Sequence, residues 1–259
     1  MRWRAHIRTV ELKMLRTKRL AVLTIGLILA AAQTVSAKTA MEWLHALDNN
    51  MVMRSAQYMA TMTVHLPSGQ ERLFKMDCKV VGDKYALMEY TEPKRDLGTR
   101  YLKRDDELWI YFPRVDRTML IQGHMLRQGV QGGDMSFEDM TESKSWEDQY
   151  DAEIVKQDSN QVTIRMTAHD MTVSYPYREI IIDKRTALPM YQLSSDASKQ
   201  PIKETEILHY KKIGDRNFPT SVIIRSRLVD NKWTKFEMSD VKLDMKFDES
   251  QFTKRALEE

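Results

Sequence analysis

Residues 98–140 read GTRYLKRDDELWIYFPRVDRTMLIQGHMLRQGVQGGDMSFEDM. Two strand-like runs, Thr99–Lys103 and Glu107–Phe112, flank the polar turn Arg104-Asp105-Asp106. Pro113 closes the second run, because proline has no N–H to give to a sheet ladder. A third apolar run, Thr118–Ile121, follows, and then the pattern changes. Gly123, Gly129, Gly132 and Gly133 are interleaved with Met125, Leu126, Val130, Met135, Phe137 and Met140. An ordinary solvated loop does not keep its large apolar residues. The segment is too long for a hairpin connection. It reads as a mobile flap over something apolar: glycine lends backbone freedom, and the apolar side chains need cover from water. The expected lining is Met119, Met125, Leu126, Val130, Met135, Phe137 and Met140, together with Trp109 and Tyr111 from the neighbouring strand.

The rest of the chain is read from this stretch outward. Thr39-Ala40-Met41-Glu42 is a capping-box pattern, with Thr39 as N-cap and Glu42 three residues on. Trp43, Leu44 and Leu47 then share one helical face. The helix fades near Asn49-Asn50, with Met51–Gln57 as a possible extension. From Tyr58 the period drops to two: Ala60, Met62, Val64 and Leu66 point one way, and Met59, Thr61, Thr63 and His65 the other. Further strands are expected at Leu73–Val81, Lys84–Tyr90, Ala152–Gln157, Val162–Thr167, Arg178–Asp183, Leu188–Leu193, Lys203–Tyr210, Thr220–Val229 and Trp233–Leu243, each bounded by turn residues. The chain is thus mainly β (α+β): about eleven antiparallel strands with one N-terminal helix, in a sheet large enough to curl on itself.

The N-terminus reads as an export signal. Arg16, Lys18 and Arg19 precede the apolar run Leu20–Ala32, which is too short to span a bilayer. Val35-Ser36-Ala37 supplies small residues for cleavage. The expected organisation is a signal peptide at 1–37 and one domain at 38–259, exported to the periplasm. The long charged lead makes Met14 an alternative start. The full chain has 40 basic and 37 acidic residues. The signal holds seven basic residues and one acid, so the mature chain keeps 33 and 36, a net charge of −3. Basicity therefore belongs to the signal, and net charge gives no reason to expect nucleic-acid binding. Cys78 is the single cysteine, so no intramolecular disulfide is possible. No cysteine follows the cleavage site, and no lipid anchor is expected.

The chemistry-bearing residues form no catalytic pattern. His45, His65, His124, His169 and His209 have no zinc-ligand spacing, and no metal or other cofactor is expected. Ser136 with Asp139 three residues on looks like a helix start, where acids favour the helix dipole; that account of Asp134, Glu138 and Asp139 outweighs an acid–base pair. No nucleophile elbow or phosphate-cradling loop is present. Sixteen methionines remain after cleavage. Most are core filler, but this flexible, polarizable side chain also suits surfaces that fit varied apolar ligands. Trp109 and Tyr111 could equally be core. Arg100, Lys103 and Arg104 could face an anionic headgroup or form a solvated strand edge.

The opening stretch also resembles the periplasmic outer-membrane lipoprotein-sorting family, the carriers with the LolA/LolB-type fold. The resemblance rests on Gly98, Thr99 and Leu102; on Asp106, Trp109, Tyr111 and Pro113; on Arg117; and on Gly133-Asp134-Met135-Ser136-Phe137-Glu138-Asp139. Asp183, Thr186, Leu188 and Pro189 add a hairpin that recurs in the family. Thr118 departs from a second basic residue, as do Val130-Gln131-Gly132 and Met135 from the usual flap lead-in and aromatic. The resemblance implies an unclosed β-barrel whose concave face is covered by helices, with a cavity between. It implies a non-enzymatic carrier for the acyl chains of a lipoprotein or lipid, an inner-membrane lipid exporter as a partner, and a monomeric state. An envelope sensor of the same fold, or an enzyme acting on envelope lipids, are the alternatives.

Overall fold

A computed structural model describes residues 37–51, 54–141 and 145–259. The expected export signal lies outside the described residues, apart from Ala37. Residues Thr39–Glu259 form one unit, which begins with helix α1, Ala40–Met51. Its capping box is made as expected: the Thr39 amide donates to Glu42 Oε2 at 2.6 Å, and the Glu42 amide donates back to Thr39 Oγ1 at 3.2 Å.

Thirteen strands follow: β1 Ser55–His65, β2 Glu71–Val81, β3 Tyr85–Glu92, β4 Arg100–Arg104, β5 Glu107–Phe112, β6 Arg117–Ile121, β7 Tyr150–Gln157, β8 Gln161–Ala168, β9 Tyr177–Asp183, β10 Leu188–Ser195, β11 Pro201–Ile213, β12 Arg216–Ser226 and β13 Trp233–Leu243. Each run read as strand-like in the sequence forms a strand, so the total is two more than the expected count of about eleven. β1 also starts earlier than its periodicity indicates. Ser55, Ala56 and Gln57 pair with Val81, Val80 and Lys79 of β2, so pairing overrides any helical extension there.

All thirteen strands form one unclosed antiparallel sheet in the order β6-β5-β4-β3-β2-β1-β13-β12-β11-β10-β9-β8-β7. Every pairing joins sequence neighbours except the one at the centre, where the first strand meets the last: Met62 faces Phe236 and Ala60 faces Met238. The edge strands are therefore β6 and β7, which the flap segment connects. That segment contains two 3-10 turns, Gly123–Arg127 and Val130–Gly132, then the short helices α2, Phe137–Thr141, and α3, Trp146–Gln149.

Period-two alternation sorts the side chains into two faces. The concave face carries two apolar clusters. One gathers Met62, Val64, Phe74, Met76, Cys78, Tyr90, Tyr101, Leu108 and Ile110 beneath Val130 and Phe137 of the flap. The other places Trp43, Leu44 and Leu47 of α1 on Val162, Ile164, Met166, Ile180 and Ile182. Between them runs a belt of buried polar side chains: Arg178, Ser194, Lys203 and Thr234. The convex face has its own patch, Leu102 under Phe252 and Leu257, the last from helix α4, Lys254–Glu258.

Candidate functional site

The flap-covered half of the concave face is not filled. A cavity of about 370 Å³ lies between sheet and flap, within the range of small-molecule sites. Its wall is built from inward positions of adjacent strands. β1 supplies Tyr58, Ala60 and Met62; β2 supplies Met76, Cys78 and Val80; β3 and β4 supply Met88, Tyr90 and Tyr101; β12 and β13 supply Val222, Ile224, Phe236 and Met238. The flap contributes Val130, Met135 and Met140. One end is the fully buried Tyr90; the other is the turn Gly82-Asp83, whose Asp83 is exposed.

The expected lining residues separate into three groups. Val130, Met135 and Met140 line the cavity. Met119, Met125 and Leu126 are half-buried and pack against the same cluster without lining the space, while buried Phe137 stacks on Tyr101 at 6.0 Å and so fixes one of its walls. Trp109 and Tyr111 lie on the convex face. The strand's alternation turns Leu108 and Ile110 inward, so Trp109 and Tyr111 face the C-terminal segment with Phe247 and Phe252. Lys254 sits 4.6 Å over the Trp109 ring, and the Tyr111 hydroxyl donates to Asp116 Oδ1 at 3.1 Å. Both faces of β5 are apolar, so alternation alone could not say which set faced a cavity. The β1 and β2 residues were readable as one face, but nothing in the sequence set a hollow core apart from a filled one.

Three carboxylates pin the flap, two of them, Asp134 and Asp139, to the polar belt. Asp134 Oδ2 accepts from Thr234 Oγ1 at 2.8 Å, the Asp134 amide donates to that hydroxyl at 2.8 Å, and Lys232 approaches Oδ1 at 3.4 Å. Glu138 accepts a hydrogen bond from Ser174. Asp139 caps α2 through a reciprocal pair with Ser136, at 2.7 and 3.2 Å, and its Oδ2 also accepts from buried Lys203 at 2.5 Å. The helix start read at Ser136 is therefore real, and Asp139 has a second role that local spacing could not reveal. Nearby, the Arg178 guanidinium lies 4.9 Å from Trp146, 5.3 Å from Tyr150 and 5.5 Å from Tyr175, with its Nε donating to the Tyr150 hydroxyl.

Two flap glycines have a steric reason. A Cβ on Gly133 would lie 2.8 Å from Thr234 Oγ1 and 3.3 Å from a Val64 methyl, and one on Gly129 would lie 2.0 Å from the Gly133 carbonyl oxygen. Close approach of the flap to itself and to the sheet, rather than freedom alone, accounts for glycine at these positions.

The cavity disfavours ionised side chains. Burial pushes the Cys78 thiol and the Tyr101 hydroxyl up to about 12, and raises Tyr58 and Tyr90 further still. Among the described lining residues, Lys103 and Asp83 bear formal charge, both at the Gly82 end. Among the described residues, no group of three or more His, Cys, Asp or Glu side chains could hold a metal ion. No described helix is long and apolar enough to cross a membrane.

A family model described as that of an uncharacterized protein matches residues 82–259. The chain belongs to that family. Its fold is the LolA type. A LolA superfamily protein from Nitrosomonas europaea superposes with a TM-score of 0.71 at 20% identity, covering 85% of this chain and 100% of the other. A putative outer membrane lipoprotein-sorting protein domain from Vibrio parahaemolyticus gives 0.75 at 16% identity, covering 85% and 98%. A DUF1329 family protein from Desulfovibrio piger gives 0.76 at 18% identity, covering 84% and 97%. No curated protein matches the sequence significantly. The resemblance read from residues 98–140 thus holds as a resemblance of fold.

Proposed function

We propose that this chain is an exported, non-enzymatic carrier that shields the acyl chains of a lipoprotein or lipid on the way to the outer membrane. The observation that carries the reading is the apolar cavity between sheet and flap. Burying one methylene is worth about 0.8 kcal/mol, so sixteen of them in water cost on the order of 13 kcal/mol. Unassisted diffusion through an aqueous compartment is then negligible. An apolar cavity removes most of that cost and leaves membrane and carrier nearly balanced, so both loading and release are feasible. Movement of the flap supplies the gate, with Val130, Met135 and Met140 riding on it. The neighbour described as an outer membrane lipoprotein-sorting domain supports the same reading.

In this account residues 1–37 direct export, the mature domain begins near Lys38, and the protein works as a monomer in the periplasm. Its partners are the acylated cargo and an inner-membrane lipid exporter that loads it, not nucleic acid. The cavity thiol fits a holding role: with Cys78 pushed up to about 12, little thiolate is present near neutral pH. Native mass spectrometry of protein purified from its own periplasm tests the proposal. The expected spectrum shows a chain starting near Lys38 with an acylated molecule bound. A chain carrying nothing, or one retaining its first 37 residues in the inner membrane, would contradict it.

A further inference from the structure

Lys103 stands where an apolar residue would be expected. It lies two positions from Tyr101 on β4 and so shares the inward face, and it is 6% exposed. It pairs with Ala86 of β3 and Leu108 of β5, both apolar inward positions. Its neighbours in sequence behave differently: Arg100 pairs with Glu89 at 3.1 Å and donates to the Leu257 carbonyl of α4 at 3.1 Å, and Arg104 is exposed. Of the three basic residues on this strand, Lys103 alone lines the cavity.

Its place along the cavity matters as much as its charge. The Nζ donates to the main-chain carbonyl of Asp83 at 2.6 Å, which holds it at the Gly82-Asp83 end. Tyr90, at the opposite end, is fully buried. A molecule entering tail first would bring its tail to Tyr90 and its head to Lys103. An ammonium has three N–H donors and can serve several acceptors at once.

We propose that Lys103 is the headgroup site of this cavity, and that the cargo is a single-chain or lipid-borne acyl group ending in an anion, a carboxylate or phosphate, rather than the neutral acylated terminus of a lipoprotein. The inference rests on the carrier reading and narrows its cargo. The acyl chain lies along Met76, Met88, Tyr101 and Met135, and the anion takes a charge-assisted hydrogen bond from Nζ.

The test compares ligands with equal tails in the mature protein. At pH 8, myristate and methyl myristate are titrated by displacement of a fluorescent probe, and lysophosphatidate is compared with monoacylglycerol in the same way. Wild type is expected to bind each anion roughly 10- to 100-fold more tightly than its neutral counterpart, the range for a hydrogen bond to a charged group. Lys103→Met should erase that preference, so that each anion and its neutral counterpart bind alike; Lys103→Arg should keep much of it. A preference in one anion pair alone identifies carboxylate or phosphate as the head. Equal binding of anionic and neutral ligands by wild type, or an anion preference that survives Lys103→Met, overturns the assignment while the carrier reading stands. If wild type binds none of the four, both fail.

Discussion

The two halves of one concave face have been finished differently. Beneath α1, the wall is mainly β-branched, with Val162, Ile164, Ile180 and Ile182 beside the single methionine Met166, and a regular helix sets Trp43, Leu44 and Leu47 onto it. β-Branched side chains have few rotamers, and the helix presents a narrow apolar stripe of fixed spacing, so this half packs solid. Beneath the flap, the wall is methionine, tyrosine and phenylalanine, and the cover is two 3-10 turns and a five-residue helix. Methionine adapts to varied shapes, and a cover this irregular leaves about 370 Å³ open. One half holds the fold together and the other leaves room for a guest. The polar belt of Arg178, Ser194, Lys203 and Thr234 separates them and gives the flap its anchor points.

Breaking an anchor should give the largest effect. Asp139→Ala strips a carboxylate from Lys203, whose side chain is 8% exposed, and removes the cap of α2. Removing one partner of a buried pair leaves the other charge stranded, and the expected cost is about 3 kcal/mol. The loss should be local: hydrogen exchange should show lower protection across residues 123–141, while Leu44 and Leu47 of α1 stay protected. Equal loss across both halves would mean that the flap is not an independent cover.

Alkaline pH should act on the cavity half through Cys78. The folded Cys78 thiol is raised from 9.0 to about 12 by burial. A raised acid contributes stability that is complete below the unfolded value and is lost as pH climbs toward the folded one. Stability should therefore begin to fall near pH 9 and be lower by about 1 kcal/mol at pH 10 from this group; Tyr101, raised to about 12 by its own burial, adds to the loss above pH 10. Denaturant midpoints of wild type and Cys78→Ala between pH 8 and 10.5 check this. The variant should lose less over that range, and parallel curves would remove Cys78 from the account.

Much of the architecture was legible in the sequence. Strand positions follow from alternation bounded by Pro113, Gly82-Asp83 and Asp230-Asn231-Lys232, and both capping boxes follow from Thr39/Glu42 and Ser136/Asp139. The flap's role as a cover followed from large apolar residues among glycines, and Val130, Met135 and Met140 fall in the lining. What the sequence could not supply was facing and distance. Trp109 and Tyr111 alternate as cleanly as Leu108 and Ile110, and only the C-terminal segment at Phe247–Leu257, far along the chain, decides which set lies outside. The Asp139–Lys203 contact spans 64 positions, beyond any local pattern. The sequence treated Arg100, Lys103 and Arg104 as one basic group, and registration with Ala86 and Leu108 is what sets Lys103 apart on the inward face.

The claim that one half is hollow for a guest and the other solid is tested most directly by adding the same bulk to each. Ala60 lines the cavity on β1, and Ala168 lies in the packed cluster under α1. Ala168→Leu should cost about 1–3 kcal/mol by overpacking and leave fatty-acid binding unchanged. Ala60→Leu should leave thermal stability unchanged or slightly raised, because the new side chain fills empty space, and should weaken binding of a fluorescent fatty acid at least tenfold. Ala60→Leu protein that binds the fatty acid as wild type does, while losing as much stability as Ala168→Leu, would contradict the account.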